Sequence, residues 1–169
     1  LHLIHTLSLH DALPISLIEA QVYRVRRIRI KNSKIPKGFN NFKIIFISDM
    51  HYGRGFSSRR LMNIVNKINK IKPDIILIGG DYLDIAVKSK KDASKYLDKE
   101  IQVLKKLRAK LGIFTVLGNH DYFRGKDYLL KKLKSNSFRI LKNTKKLISK
   151  AGDTIELIRS EERRVGKEC

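Results

Sequence analysis

The chain has 169 residues, 42% of them apolar, which suits one domain with a hydrophobic core and excludes a disordered, purely solvating chain. Its formal net charge of +21 would suit a nucleic acid or an anionic membrane as partner. However, the basic residues are scattered over the whole chain, and no short block sets them beside aromatic residues as a groove for single strands would. A solvated basic surface is therefore the preferred interpretation, with a membrane surface or an anionic substrate next and nucleic acid last.

The two ends of the chain resemble translated library DNA. The string "RSEERRVGKEC", residues 159–169, reads as the in-frame translation of a common sequencing adapter, and "TLSLHDALPI", residues 6–15, as the same adapter reversed and frame-shifted. Residues 1–5 lie outside the adapter and are suspect as well. We therefore expect residues 1–15 and 159–169 to be artefactual, and residues 16–158 to be the natural sequence.

Excluding residues 1–15 and 159–169 also excludes several residues of types that bind metals. Residues 16–158 contain only two histidines, His51 and His120, and no cysteine, so they offer neither a disulfide nor a thiolate ligand. No run of 18 apolar residues is present between residues 16 and 158 either, so no transmembrane helix is predicted there. The possible ligands set aside are His2, His5, His10, Asp11 and Cys169.

The first half of the remaining sequence predicts two strands and a helix. Residues 22–30 alternate apolar and basic side chains, which indicates a half-exposed strand, and "SKIPKGFNN" after them is typical of turns. The continuous apolar run "FKIIFIS", residues 42–48, predicts a strand buried on both faces. Residues 57–71 place apolar side chains at helical spacing behind serine caps, and Pro73 ends that helix.

The second half continues the alternation of strands and helices. "DIILIGGD" (74–81) and "GIFTVLGNHD" (112–121) predict buried strands, whereas residues 92–109 and 126–136 have the apolar spacing of helices. This order predicts an α/β fold of parallel βαβ units with right-handed crossovers. Three short candidate strands follow at residues 138–141, 146–148 and 154–158.

Polar residues follow each of the three predicted parallel strands. Since the carboxyl ends of parallel strands meet at one edge of a sheet, we expect these side chains to lie together. Asp49 and His51, two positions apart at a strand end, can project to the same side and bind one cation. The complete set is Asp49, His51, Asp81, Asp84, Asn119, His120 and Asp121.

These oxygen and nitrogen donors suit a pair of divalent metal ions. A carboxylate such as Asp81 can bridge two ions, and the amide oxygen of Asn119 ligates without adding charge. Ligation by oxygen and nitrogen without sulfur favours Mn, Fe or Zn in a reactive site over a structural zinc site. Two such ions can clamp a phosphoryl oxygen and activate a water at neutral pH.

Each motif also has a purely structural explanation. Asp49 could cap the following helix, "GGD" and "GNHD" could be turns, and Asp84 could be a helix cap rather than an acceptor for a ligand. Arg54 could contact phosphate or remain solvated. We expect the nearby aromatic residues to pack around the mouth of the site, namely Tyr52, Tyr82, Tyr122 and Phe123. The co-occurrence of three motifs at three strand ends favours a functional site.

The segments "SDMHYG", "GGDYLD" and "GNHDYF" resemble the first three blocks of the calcineurin-like metallophosphoesterase superfamily, D-x-H, G-D-x-x-D and G-N-H-[DE]. The resemblance implies a sandwich of two sheets flanked by helices, of which this chain would be the truncated βαβαβ first half. It implies that Asp49 and His51 bind the first metal, that Asp81 bridges, and that Asn119 binds the second metal. It further implies that His120 acts as general acid or electrostatic stabiliser, oriented by Asp121.

The later blocks of that family, a lone histidine and then G-H-x-H, are missing, because no histidine follows Asp121. We therefore expect an N-terminal part of a metallophosphoesterase domain, with an exposed sheet edge, inactive by itself and prone to aggregate. The sequence "LKSNSFRILKNTKKL" is similar to a branch whose members often carry a membrane anchor or export signal. A membrane-anchored or exported longer protein is thus one expectation for location, and a cytoplasmic protein the other.

Three functions remain open at this stage. The first is hydrolysis of phosphomonoesters or phosphodiesters by a water that two divalent ions activate. The second is a catalytically inert binding module on the same fold. The third is a basic nucleic-acid-binding domain, although nucleic acid is expected mainly as a substrate. The sequence leaves the substrate and the oligomeric state undetermined.

Overall fold

A parallel sheet of four short strands forms the centre of the protein. The computed structural model describes residues 2–3, 25–53, 56–84, 87, 89–123 and 125–159. In order across the sheet, the strands are Ile44–Ile47 (β3), Ile75–Ile78 (β4), Gly112–Thr115 (β5) and Arg139–Ile140 (β6). Each strand is parallel to its neighbour. The α/β class predicted from the sequence is confirmed, and the first of the three short candidate strands becomes the fourth strand of this sheet.

Three helices connect consecutive strands of the sheet: α1 (Ser58–Ile71), α2 (Lys90–Leu104) and α4 (Lys126–Ser135). A five-residue helix, α3 (Asn119–Phe123), precedes α4 and was not predicted. Helix α1 begins where predicted, because the Ser57 side chain accepts a hydrogen bond from the Arg60 N–H. It ends at Ile71, and the next residue, Lys72, takes a left-handed conformation before Pro73.

Helix α2 is shorter than the sequence predicts. Its apolar face is buried as expected, but it ends at Leu104 instead of residue 109. The side chain of Asn69, on α1, explains the early end: its amide nitrogen donates to Lys106 O at 2.8 Å, and its oxygen accepts from Arg108 N at 2.8 Å. These bonds satisfy backbone groups that a continuing helix would have paired internally.

Both faces of the sheet are covered. Alternate strand residues enter two separate apolar clusters, with Ile45 and Ile76 in the larger one beside α1 and α2, and Ile44 and Ile75 in the smaller one. Burial on both faces explains why these strands read as continuous apolar runs. The smaller cluster also includes Ile148 of the hairpin formed by β7 (Lys145–Lys150) and β8 (Asp153–Ile158).

The N-terminal strand is much shorter than predicted. Only Ile28–Arg29 (β2) is a strand, paired antiparallel with His2–Leu3 (β1), and a short 3-10 helix follows at Lys37–Phe39. The prediction is wrong for residues 25–27 and 30, where Val25 and Ile30 are exposed and bury no face; residues 22–24 lie outside the described residues. Most of the two segments expected to be artefactual, namely residues 4–15 and 160–169, also lies outside them.

The helices in the described part of the chain are all too short or too polar to cross a bilayer.

Candidate metal centre

Three turns at the carboxyl edge of the sheet meet in space. Past the ends of β3 and β4, the first two turns remain hydrogen-bonded: Asp49 N donates to Gly80 O at 3.1 Å, and His51 N donates to Asp81 O at 3.1 Å. A parallel bridge between Tyr52 and Leu83 continues the pairing. Because parallel strands end at one edge, their turns are brought together as the sequence predicts.

The third turn, after β5, is tied to the second by the Asp121 carboxylate. One oxygen of Asp121 accepts the N–H groups of Asp81 and Gly118, each at 2.9 Å, and the other accepts that of Tyr82 at 2.9 Å. In return, Asp81 Oδ1 accepts the N–H of His120 at 3.0 Å. We call the three bonds to Asp121 the Asp121 clamp, and it fixes the distance between the second and third turns.

Two glycines allow the second and third turns to approach this closely. A Cβ built on Gly80 would come within 3.0 Å of the backbone of Gly118, and one on Gly118 would come within 3.0 Å of the Asp81 carboxylate. Gly80 also has φ +90°, a conformation that side chains rarely adopt. The glycines of "GGD" and "GNHD" are therefore required by the packing of one turn against the other.

Three of the predicted metal ligands have left-handed backbone conformations. The φ angles are +54° at Asp49, +43° at His51 and +53° at Asp81. For residues with a Cβ, this conformation costs roughly 1–2 kcal/mol each. Such outliers collect at functional sites, because the surrounding structure must enforce them, and here the hydrogen bonds between the turns do so.

Side chains from all three turns converge on one point. One donor atom from each of His51, Asp81 and His120 lies within 4.8 Å of the other two. The two imidazole rings meet edge to face, with centroids 5.3 Å apart. Asp49 Oδ1 lies 3.9 Å from His51 Nε2, so a second carboxylate adjoins the group.

This donor set fits a divalent metal ion. Three ligands that each lie about 2.1 Å from one ion are at most about 3.6 Å from one another, so the three donor atoms would need to approach by about 1 Å, a movement that side-chain rotation can supply. The Asp81 side chain is buried, whereas the side chains of Asp49 and His51 are 51% and 35% exposed. An ion could therefore reach the group from solvent.

The remaining predicted site residues lie around this group. Asn119 is exposed and opens helix α3, directly after the third turn. Asp84 lies in the second turn, and its Cβ is 2.6 Å from the position that a Cβ on Gly53 would occupy, so the first and second turns pack tightly there too. Neither structural alternative for the aspartates holds: Ser57, not Asp49, caps α1, and Ser89, not Asp84, caps α2.

The prediction that Asp121 orients the His120 ring finds no support in the hydrogen bonds of the described residues. Both Asp121 oxygens accept backbone N–H groups instead, and neighbouring positions on a helix point in different directions. Asp121 is 1% exposed. Burial raises the pKa of its carboxyl, and the N–H groups of Gly118, Tyr82 and Asp81 partly offset the rise by stabilising the carboxylate.

Replacing Asp121 with Asn is expected to destabilise the chain by about 2–3 kcal/mol, because an amide places N–H groups against a buried N–H donor and removes the charge. Urea unfolding followed by circular dichroism measures the loss. The matched control is Asp127→Asn on the exposed face of α4, expected to change stability by less than about 0.5 kcal/mol. Equal stability of the two variants would mean that the Asp121 clamp is unimportant.

The aromatic residues near the site pack as expected where the structure describes them. Tyr52 and Tyr82 are buried, and their hydroxyls pair with those of Ser58 and Thr115. Tyr122 is 41% exposed, beside the ammonium of Lys126. The side chain of Phe123 and all of Arg54 lie outside the described residues.

One charged residue near the site was missed from the sequence. Glu100 lies on the buried face of α2 together with Leu97, Ile101 and Leu104, and none of the four is more than 1% exposed. The signal was available, because a helix that places an acid on its apolar face departs from the amphipathic pattern.

Comparisons with known proteins point to one family. A family model described as "Calcineurin-like phosphoesterase" matches residues 42–163. An uncharacterized metallophosphoesterase of Aquifex aeolicus is 35% identical over 127 residues, and YkuE, an uncharacterized metallophosphoesterase of Bacillus subtilis, is 34% identical over 105 residues. LpxG of Chlamydia trachomatis, named as a UDP-2,3-diacylglucosamine pyrophosphatase, is 32% identical over 108 residues.

These alignments cover most of this chain but less than half of each relative. They include 75%, 62% and 62% of the chain, and 46%, 35% and 30% of the Aquifex, Bacillus and Chlamydia proteins. The family match, residues 42–163, contains all three turns of the candidate metal centre.

Proposed function

The chain belongs to the calcineurin-like phosphoesterase family, and from this we propose that it serves the metal-dependent hydrolysis of phosphomonoesters or phosphodiesters at the centre formed by its three turns. The observation that carries the proposal is that two candidate ligands, His51 and Asp81, and the candidate proton donor His120 bring their side-chain donor atoms within 4.8 Å of one another at the carboxyl edge of the sheet. The left-handed backbone at the candidate ligands supports it further.

Within this proposal, the residues of the chain hold two divalent ions, with Mn, Fe and Zn as the candidates. Asp49 and His51 bind the first ion, Asp81 bridges, and Asn119 binds the second. When bound, the ions supply Lewis acidity toward a phosphoryl oxygen and a water activated as nucleophile. The Asp121 clamp keeps the second and third turns, and therefore Asp81 and His120, in register.

In this proposal His120 is the general acid, which donates a proton to the leaving group. Its ring lies beside His51 and Asp81, so the same position could also serve a ligand. For a proton donor we expect His120→Gln to lower turnover of a substrate with a poor leaving group by about 10²–10⁴-fold, and to lower turnover of an aryl phosphate much less. The affinity for Mn²⁺ should stay within about threefold; a larger loss of affinity would make His120 a ligand instead.

We also propose that complete activity belongs to a longer protein, because the chain spans less than half of each relative and lacks the histidine blocks of the family's second half. Metal binding is therefore tested on the 169-residue chain by calorimetry with Mn²⁺, and hydrolysis on the longer protein with p-nitrophenyl phosphate and bis(p-nitrophenyl) phosphate. Metal binding without hydrolysis by the longer protein would favour the inert binding module.

The relatives suggest where to look for substrate and location. One is named a UDP-2,3-diacylglucosamine pyrophosphatase, and two vertebrate relatives are named transmembrane proteins with a metallophosphoesterase domain. We therefore propose phosphodiesters or pyrophosphates of membrane lipids as the first substrates to test, with a membrane surface as partner. Binding of the chain to DNA with a steep salt dependence and without metal would favour a nucleic-acid-binding domain instead.

A further inference from the structure

Glu100 is a buried acid without a hydrogen-bond partner. It lies on the core-facing side of α2 and is 0% exposed, and neither of its carboxyl oxygens has a partner in the described part of the chain. An unpaired carboxylate in such a place is very costly, because it loses its hydration without compensation. Most buried acids are therefore paired or uncharged, and an apolar residue of similar volume would stabilise the core more.

The groups around Glu100 belong to the turns that carry the candidate ligands. Glu100 lies close enough to the Tyr82 hydroxyl of the second turn and to the Asp121 carboxylate of α3 for an ionised Glu100 to interact with both. Burial, with the nearby Asp121 carboxylate, raises the pKa of Glu100 well above its usual range. Helix α2 also packs near the junction of α3 and α4, where Leu97 lies 3.8 Å from the position of a Cβ on Gly125.

Among the described residues, the other elements packed against α2 bring no opposite charge to Glu100. From α1 the buried side chains are Leu61, Val65 and Ile68, and from α4 they are Leu129 and Leu133. Asp98 on α2 and Lys132 on α4 are partly exposed and form a salt bridge with each other, with 2.7 Å between Asp98 Oδ1 and Lys132 Nζ. Among the described groups, the charge that acts on Glu100 is thus that of Asp121.

We propose that Glu100 makes the Asp121 clamp sensitive to pH: the acid is buried without a hydrogen-bond partner among the described residues, and it stays uncharged for as long as the closed clamp keeps water away from it. If Glu100 ionised in place, two carboxylates would compete beneath the same turns, and the Asp121 clamp would open to let water reach Glu100. The clamp therefore closes only over a protonated Glu100. This concerns the turns themselves and stands whether or not the chain hydrolyses phosphoesters.

The sign of the pH effect follows from proton linkage. Above the ordinary pKa of an exposed glutamate, any opening that exposes Glu100 releases a proton, so the opening becomes more favourable as the pH rises. The opening equilibrium should increase about tenfold per pH unit until Glu100 ionises in the closed state. Glu100→Gln has nearly the same shape and no proton to release, and it should remove this dependence.

Hydrogen exchange of individual amides, measured by NMR between pH 5.5 and 8 on the 169-residue chain, tests the proposal. The reporters are the three N–H groups that donate to Asp121, those of Asp81, Tyr82 and Gly118. Their protection, corrected for intrinsic exchange, should fall about tenfold per pH unit in the wild type relative to Glu100→Gln. The amide of Ile148 in the separate β7–β8 hairpin is the internal control and should show no such difference.

Two results would overturn the proposal. The same pH dependence in wild type and Glu100→Gln would mean that Glu100 does not release a proton when the clamp opens. An equal effect on the three reporters and on Ile148 would mean that Glu100 acts on the stability of the whole fold and not on the clamp. If Glu100→Gln does not fold, Glu100→Leu replaces it, since a leucine of similar volume also removes the ionisable group and should give the same flat profile.

Discussion

Replacing Asp81 with Asn is expected to weaken Mn²⁺ binding to the chain by about 100-fold or more, since even residues that merely support a metal ligand cost 10–100-fold. The Asp81 carboxylate is buried, and its donor atom lies within 4.8 Å of those of His51 and His120. The substitution removes the charge but retains an oxygen that can accept the His120 N–H, so the turn should remain folded. Calorimetry gives the affinity.

Two controls separate loss of the ligand from loss of the fold. Asp127→Asn removes one carboxylate from an exposed position on α4 and should leave the affinity unchanged within about twofold. Thermal unfolding without metal should show Asp81→Asn close to the wild type. Unchanged Mn²⁺ affinity in a folded Asp81→Asn chain would remove Asp81 from the site, and with it the proposed bridging role.

Replacing Gly80 with Ala is expected to destabilise the chain by about 2–4 kcal/mol, a sum of backbone strain at positive φ and of overpacking. The added methyl group would meet the backbone of Gly118, which cannot move aside as a flexible side chain could. The second and third turns would separate, so Mn²⁺ affinity should fall together with stability. Urea unfolding and calorimetry on the same samples measure both.

The hairpin between β7 and β8 offers a matched control for this substitution. Gly152 has φ +83°, close to the +90° of Gly80, but a Cβ on Gly152 would meet no atom within 4 Å. Gly152→Ala should therefore lower the free energy of unfolding only by the backbone strain at positive φ, about 1–2 kcal/mol, and leave Mn²⁺ affinity unchanged. If both variants lose the same stability and retain the metal, the contact between the two turns is not what Gly80 provides.

Local patterns were enough to predict much of the fold. The apolar runs that became β3, β4 and β5 and the serine-capped helix α1 follow from side-chain spacing and capping, which depend on residues close in sequence. The errors have distant causes. Helix α2 ends early because Asn69, on another helix, takes the backbone groups of Lys106 and Arg108. Around the short strand β2, Val25 and Ile30 remain exposed, because no other element in the described part of the chain covers them.

The candidate site divides in the same way. The sequence by itself determined which donors follow each strand and, from the parallel order, that Asp49, His51, Asp81 and His120 share one edge, because strand direction fixes where turns emerge. Only the tertiary structure decided that Asp121 ties two turns together through their backbone N–H groups, and that Glu100 on α2 lies fully buried. The partners of a carboxylate depend on atoms that folding brings together from positions about 40 residues apart, as with Asp81 and Asp121. No local pattern records such contacts.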